Sequence, residues 1–241
     1  MIKIGIITNI KFYEKTLPSV IPSLLAAGIE KEDIHIFNNG HKEYRSIVED
    51  GITHHYLDHH SNENGLFITV LEKELYSEYW FLIHDTARVG PNFKTLLYNI
   101  PESKPEKVAM TTYPSGSMGS YRYDYLLTQK EKIFALKNEW RLAALTNEDI
   151  ILWKTDPRPV CYNGYEEYCR QIISMDDNWF GTSTKRITEY YPSLDLYKNK
   201  SNWGQYVYIK SVKLNDPSSV VLSHDWEDDT ENTNPFKYRK L

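Results

Sequence analysis

The stretch YWFLIHDTARVGPNF, residues 79–93, decides how this chain folds. Its first five residues form the most strongly apolar run in the sequence, and so unbroken a run reads as a strand buried on both faces. The run ends in His84-Asp85-Thr86. Pro91 then opens a helix whose apolar face holds Phe93, Leu96, Leu97 and Ile100.

Toward lower numbers the same alternation repeats. Residues 2–9, IKIGIITN, are apolar and β-branched and read as a buried first strand. In TLPSVIPSLLAAG, residues 16–28, Leu17, Val20, Ile21, Leu24 and Leu25 recur at helical spacing and Gly28 supplies the stop. Pro18 fits the first turn of that helix, whereas Pro22 must kink it or mark its true start. Residues 33–37, DIHIF, read as a second strand followed by a turn at Asn38-Asn39-Gly40. Residues 53–57 form a third strand, and residues 65–76 a helix with Phe67, Leu71 and Leu75 on one face. On the far side of the opening stretch, residues 107–112 are a further strand.

Strands alternating with helices imply a mostly parallel central sheet flanked by helices, an α/β fold of Rossmann-like type. The alternation covers about residues 1–115. Beyond it, residues 120–138 and 163–175 read as helical and residues 144–153 and 218–222 as strand-like. No linker, repeat or low-complexity tract divides the 241 residues, so one domain is expected, with residues 116–241 closing over the first half.

Composition narrows the function classes. The 28 Lys and Arg residues are outnumbered by 33 Asp and Glu and are scattered, which argues against nucleic acid as a partner. No run of about 18 apolar residues exists to span a membrane, and residues 1–12 lack the small-residue cleavage site of a signal peptide. Two cysteines, Cys161 and Cys169, are too few for a disulfide framework and too isolated for a zinc site, so a reducing, cytoplasmic setting is expected. The 19 tyrosines suit sugar stacking, but a bias toward Lys, Asn, Ile and Tyr produces the same content and lends it little weight.

In an open α/β sheet, ligands bind beyond the carboxyl ends of the strands. Thr8, Asn9, Asn38, Asn39, Asp85 and Thr86 occupy those ends, with Thr112 and Tyr113 after the fifth strand read here. Neither G-x-G-x-x-G after the first strand nor G-x-x-x-x-G-K-[ST] anywhere is present, so the usual glycine-rich phosphate cradles are missing.

A strand, a helix, a second strand with a polar turn, and then YWFLIHDTARVGPNF with its acid at the strand end together resemble the nucleotide-binding half of GT-A glycosyltransferases. The resemblance implies a donor such as a UDP-sugar and a divalent ion, Mn²⁺ or Mg²⁺, held by strand-end carboxylates against the donor diphosphate. The family motif is D-x-D, and this chain has His84-Asp85-Thr86 in its place. Counting back from Pro91 sets His84 and Thr86 where the family has its two acids, leaving Asp85 as the nearby carboxylate. The family's late metal ligand is matched by His224, in VVLSHDWEDD.

Further candidates follow from residue type. The segment PSGSMGSYRYDYL, residues 114–126, offers a flexible loop at Gly116 and Gly119 and places Arg122 where it would meet a diphosphate. Asp176-Asp177-Asn178-Trp179 sets carboxylates beside an aromatic platform, the pairing an acceptor hydroxyl needs in a general base. HHYLDHH, residues 54–60, invites a zinc reading, but alternation along a strand sends His54 and His55 to opposite faces. The sequence therefore points to a metal-dependent glycosyltransferase acting on a glycan or other hydroxyl acceptor. Asn9 and Asn38 would meet the nucleotide, Asp85 and His224 the metal, and Asp176 or Asp177 the acceptor. A nucleotidyltransferase of sugar-nucleotide synthesis is one alternative, although residues 9–15 lack the glycine-rich loop such enzymes carry. A noncatalytic carbohydrate-binding protein on the same fold is the other.

Overall fold

Strand β1 (Ile2–Asn9) lies inside a seven-stranded sheet, between β2 (Ile34–Asn39) and β5 (Tyr79–His84), and is parallel to both. The computed structural model describes residues 1–61, 63–110, 118–138, 160–164, 171–174 and 186–201. β1 buries Ile2, Ile4, Ile6 and Ile7, as its near-continuous apolar run requires. Gly5 gives room to the covering helix, because a Cβ there would stand 1.9 Å from Leu66 Cδ1.

Helix α1 (Tyr13–Ala26) follows β1 and starts earlier than its apolar spacing suggests. Pro18 and Pro22 both lie inside it, so neither marks the start. Its end is the expected one. Gly28, at φ +83°, donates to Leu25 O and Ile29 to Leu24 O, closing the last turn in a Schellman motif.

Asn38 and Asn39, expected in a turn, are the last two residues of β2 and are buried. Their backbones lie in register with Thr8 and Asn9 of β1 on one side and with Tyr56 and Leu57 of β4 (Ile52–Leu57) on the other, and the strand pairs on both sides hold them extended. The turn falls at Gly40, φ +93°.

A strand the apolar pattern did not announce, β3 (Arg45–Glu49), forms a hairpin with β4. Asp50 and Gly51, both at positive φ, make the two-residue turn. β3 is exposed along its whole length, so it carries no apolar signature.

Helix α2 (Asn64–Glu72) returns the chain from β4 to the other side of β1. It stops before the expected residue 76 because Glu74 turns left-handed and Leu75 N bonds back to Val70 O. The chain thus runs outward from β1 to β2 to β4, and then reverses to β5. That reversal is the topological switch point of the sheet.

β8 (Gly119–Arg122) pairs antiparallel with β5 and with β7 (Lys107–Ala109), giving the order β3-β4-β2-β1-β5-β8-β7. Residues 120–122, the start of the stretch expected as helix, are strand, and Tyr121 packs in the core against Phe67 with ring centroids 4.6 Å apart. Helices α4 (Tyr123–Thr128) and α5 (Lys130–Phe134) follow.

A second, antiparallel sheet has the order β6-β11-β10-β9. It joins β6 (Ala87–Val89), which leaves the end of β5 directly, to β11 (Leu196–Ser201), β10 (Arg186–Tyr191) and β9 (Gln171–Ser174). Residues 171–174, expected at the end of a helix, are strand through pairing with β10. Between β6 and β7 the helix expected after Pro91 is the short α3 (Phe93–Leu97). The strand-like stretches 144–153 and 218–222 lie outside the described residues. The molecule is therefore α/β, with a mixed, mostly parallel seven-stranded sheet flanked by helices.

Candidate functional site

The switch point places the carboxyl ends of β1 and β5 side by side. Ile7 is in register with His84, and Asp85 N donates to Ile7 O at 3.2 Å. Asp85 therefore leaves the sheet next to Thr8. Its Oδ2 accepts from Thr8 Oγ1 at 2.6 Å and from Thr16 Oγ1 at 2.7 Å. Thr16 stands in the first turn of α1, so strand end, helix start and carboxylate are tied together, and the two hydroxyls fix the orientation of the carboxylate.

Asn38 completes this side of the sheet. It is the register partner of Thr8 in a parallel pair, so both side chains leave by the same face. Asn38 is buried, and its Oδ1 has no hydrogen-bond partner among the described residues.

The other expected residues distribute differently. Asn39 faces the opposite side, where its amide donates to Thr8 O and its Oδ1 accepts from Ser61 N, so it braces the loop before α2. Asn9 Oδ1 accepts from Lys11 N at 2.9 Å and closes the turn into α1. His84, also on the α2 face, lies 3.6 Å from Glu63 Oε1. Thr86 O accepts from Asn199 N and joins the strand end to the second sheet.

Arg122 does not come to this place. It is in register with Tyr79 at the amino end of β5, roughly 17 Å from His84 at the usual strand rise, where it pairs with Asp124. The expected diphosphate contact is corrected on that ground: antiparallel β8 runs its last residue to the wrong end of the sheet. Asp176, Asp177 and His224 lie outside the described residues.

Sequence reading missed Thr16, Glu63 and Glu189. Thr16 had a signal: it continues the buried stripe of Val20 and Leu24 at i, i+4 and i+8, and a hydroxyl on an apolar stripe needs a partner. Glu189 is fully buried in β10 and accepts from Tyr191 Oη at 2.5 Å. No local pattern announces a buried glutamate.

The histidines of residues 54–60 take another role. Lys3 Nζ lies 3.1 Å from His35 Nε2, His35 Nδ1 lies 3.1 Å from His55 Nε2, and His55 Nδ1 lies 3.2 Å from Tyr44 Oη. An ammonium only donates, so His35 accepts at Nε2 and donates from Nδ1, and His55 repeats the pattern toward Tyr44. The two rings are nearly coplanar, with centroids 5.4 Å apart, and lie against Phe37 and Trp80. Burial first, then the charges of Lys3 and His55, push His35 down to about 3; burial, then His54 and Lys3, push His55 to about 4. Both are neutral at pH 7. The thiol of Cys161 is pushed up to about 11 by burial, which favours its protonated form.

Among the described residues no three or more His, Cys, Asp or Glu side chains are grouped to hold a metal ion. A Mg²⁺ or Mn²⁺ ion at this strand end would have Asp85 as its carboxylate and would need other oxygens, such as those of a bound diphosphate, to fill its coordination. No helix among the described residues is long and apolar enough to cross a membrane. Comparison with protein-family models, with curated proteins and with solved structures gives no match.

Proposed function

We propose that this chain is a glycosyltransferase of GT-A-like architecture that moves a sugar from a nucleotide-sugar donor, preferably a UDP-sugar, to a hydroxyl acceptor such as a glycan. The observation that carries the reading is the oriented carboxylate of Asp85 at the switch point, held by Thr8 and Thr16 beside Asn38, whose Oδ1 has no partner among the described residues. In the transfer, the acceptor oxygen bonds to the anomeric carbon, the bond from that carbon to the diphosphate breaks, and the acceptor proton passes to a base. Asp85 would hold the divalent ion. When bound, that ion neutralises the charge left on the departing diphosphate. Asn38 Oδ1 matches a donor such as the uracil imide N–H, which suits UDP, and guanine N1–H would serve the same acceptor. Asp176 or Asp177 is the candidate base.

The glycine-free turn after β1, closed by Asn9 onto Lys11 and Phe12, offers no phosphate cradle and weighs against a nucleotidyltransferase. A noncatalytic carbohydrate-binding protein remains the second reading, favoured by the single carboxylate at the end of β5.

The deciding experiment is thermal unfolding with UDP, GDP and their sugars, with Mn²⁺ or with EDTA. A ligand at about 100-fold excess over Kd should stabilise the fold by about 2.7 kcal/mol, several degrees or less in Tm for a chain of this size. The expected result is a shift that needs both nucleotide and metal and is lost in Asp85→Asn, a variant that keeps an acceptor for Thr8 and Thr16. Absence of any shift with every nucleoside diphosphate would sink the donor site. A shift with free sugars alone would favour the carbohydrate-binding reading.

A further inference from the structure

We infer that this protein forms a two-fold symmetric dimer by pairing the outer edge of β3 with β3 of a second copy, an arrangement independent of the donor site. β3 ends the seven-stranded sheet, and among the described residues no strand covers its outer side. All five of its residues are exposed, including Ile47 at 41% and Val48 at 71%. Sheet edges are ordinarily blunted by a proline, a bulge or charged side chains, and the two charges of β3, Arg45 and Glu49, are opposite in sign and so complementary to a second copy. RSIVE contains no proline, and its register with β4 is unbroken from Arg45↔Tyr56 to Glu49↔Ile52.

The backbone direction at this edge is fixed by the hairpin. A two-residue turn at Asp50-Gly51 closes Glu49 onto Ile52 with hydrogen bonds, so Glu49, Ile47 and Arg45 direct their N–H and C=O groups toward β4. Ser46 and Val48 direct theirs outward. An antiparallel copy centred on Ile47 places Ser46 opposite the partner's Val48 and Val48 opposite the partner's Ser46. Each of these two pairs can then exchange two backbone hydrogen bonds, which leaves no outward group of the strand unpaired.

The side chains agree with that register and with no other antiparallel one centred on the strand. Arg45 falls opposite the partner's Glu49, Glu49 opposite the partner's Arg45, and Ile47 against the partner's Ile47. Opposite charges directly across an antiparallel pair stabilise it, and like charges oppose it. Arg45 is already directed on this face, with its guanidinium carbon 4.1 Å from the centre of the Tyr56 ring. One self-complementary strand serving both sides is what a two-fold axis demands. Five residues a side bury little area, so the dimer is concentration-dependent. β3 is separated from β5 by β4, β2 and β1.

Sedimentation equilibrium of the full chain, from low to high micromolar, tests this. The mass should rise from 28.4 kDa toward twice that value. Ser46→Pro removes an outward donor without touching the bonds to β4 and should hold the protein at the monomer mass. Arg45→Glu or Glu49→Arg alone should weaken dimerisation about tenfold by setting like charges opposite each other. The exchange Arg45→Glu/Glu49→Arg should restore it, and the two single variants mixed should pair with each other. Circular dichroism identifies any variant that fails to fold, and if Ser46→Pro does, the charge series decides alone. A wild-type chain that stays monomeric would overturn the proposal, as would a dimer indifferent to the charge reversals or a double exchange that recovers nothing. Larger assemblies that ignore these substitutions would also overturn it and point to a different surface.

Discussion

Two polar groups on the central sheet behave in opposite ways. Lys3, His35, His55 and Tyr44 run across strands on the α2 face, stacked among aromatic rings. Thr8, Thr16 and Asp85, with Asn38 alongside, gather at the carboxyl end on the α1 face. In the first group each ring nitrogen meets a partner and burial keeps both histidines uncharged. In the second a carboxylate stands half-buried at a strand end, beside a side-chain carbonyl oxygen that has no partner among the described residues. A polar set that closes on itself supports the fold. The second set is the one on which the proposed donor site rests.

The sharpest way to break that distinction is Asp85→Asn. Loss of the charge should weaken metal-dependent donor binding at least about a hundredfold, about 2.7 kcal/mol or more, while the melting temperature without ligand changes little. Titration calorimetry with UDP and Mn²⁺ measures the first and a thermal melt the second. If both fell together, Asp85 would belong with the structural set.

The histidine pair should give the next largest effect. Both folded values lie far below the ordinary 6.5, so the unfolded chain takes up protons first as the pH falls. Stability is full above about 6.5 and declines below it, toward the folded values of about 3 and 4. Linkage puts the loss at about 2 kcal/mol between pH 7 and pH 5.5. Urea unfolding across that window reads it directly. A flat profile would mean that the rings protonate inside the fold.

Thr16→Val should do least. It removes one of two hydroxyls from Asp85 and should lower donor affinity by about 1 kcal/mol, roughly fivefold, with the fold retained. Unchanged affinity would make the Thr16 hydroxyl a packing detail of α1.

The central strands were readable because β1 and β5 are buried on both faces, and such strands must be written as unbroken apolar runs. The same physics hid β3, whose exposed residues need no pattern, and β8, where Gly119-Ser120-Tyr121-Arg122 is held by two neighbours and not by its own propensity. Asp50-Gly51 did carry a hairpin signal in the sequence, and only the missing alternation on its amino side obscured it. The placement of Asp85 at a strand end was readable from the run before it. Its hydroxyl partners were not, because Thr8 and Thr16 lie 77 and 69 residues away along the chain. Arg122 shows the converse error: sequence proximity to a site-bordering loop says nothing about which end of an antiparallel strand a residue reaches.

The place of β1 in the sheet also bears on how the chain is born. β1 acquires β2 once residues 34–39 are made, but its other edge stays open until Tyr79–His84 leaves the ribosome. For the whole interval in which β3, β4 and α2 are synthesised, an isoleucine-rich strand edge has no neighbour. A chain lacking residues 79–84 would be expected to expose that edge, the kind of unpaired strand edge that favours aggregation.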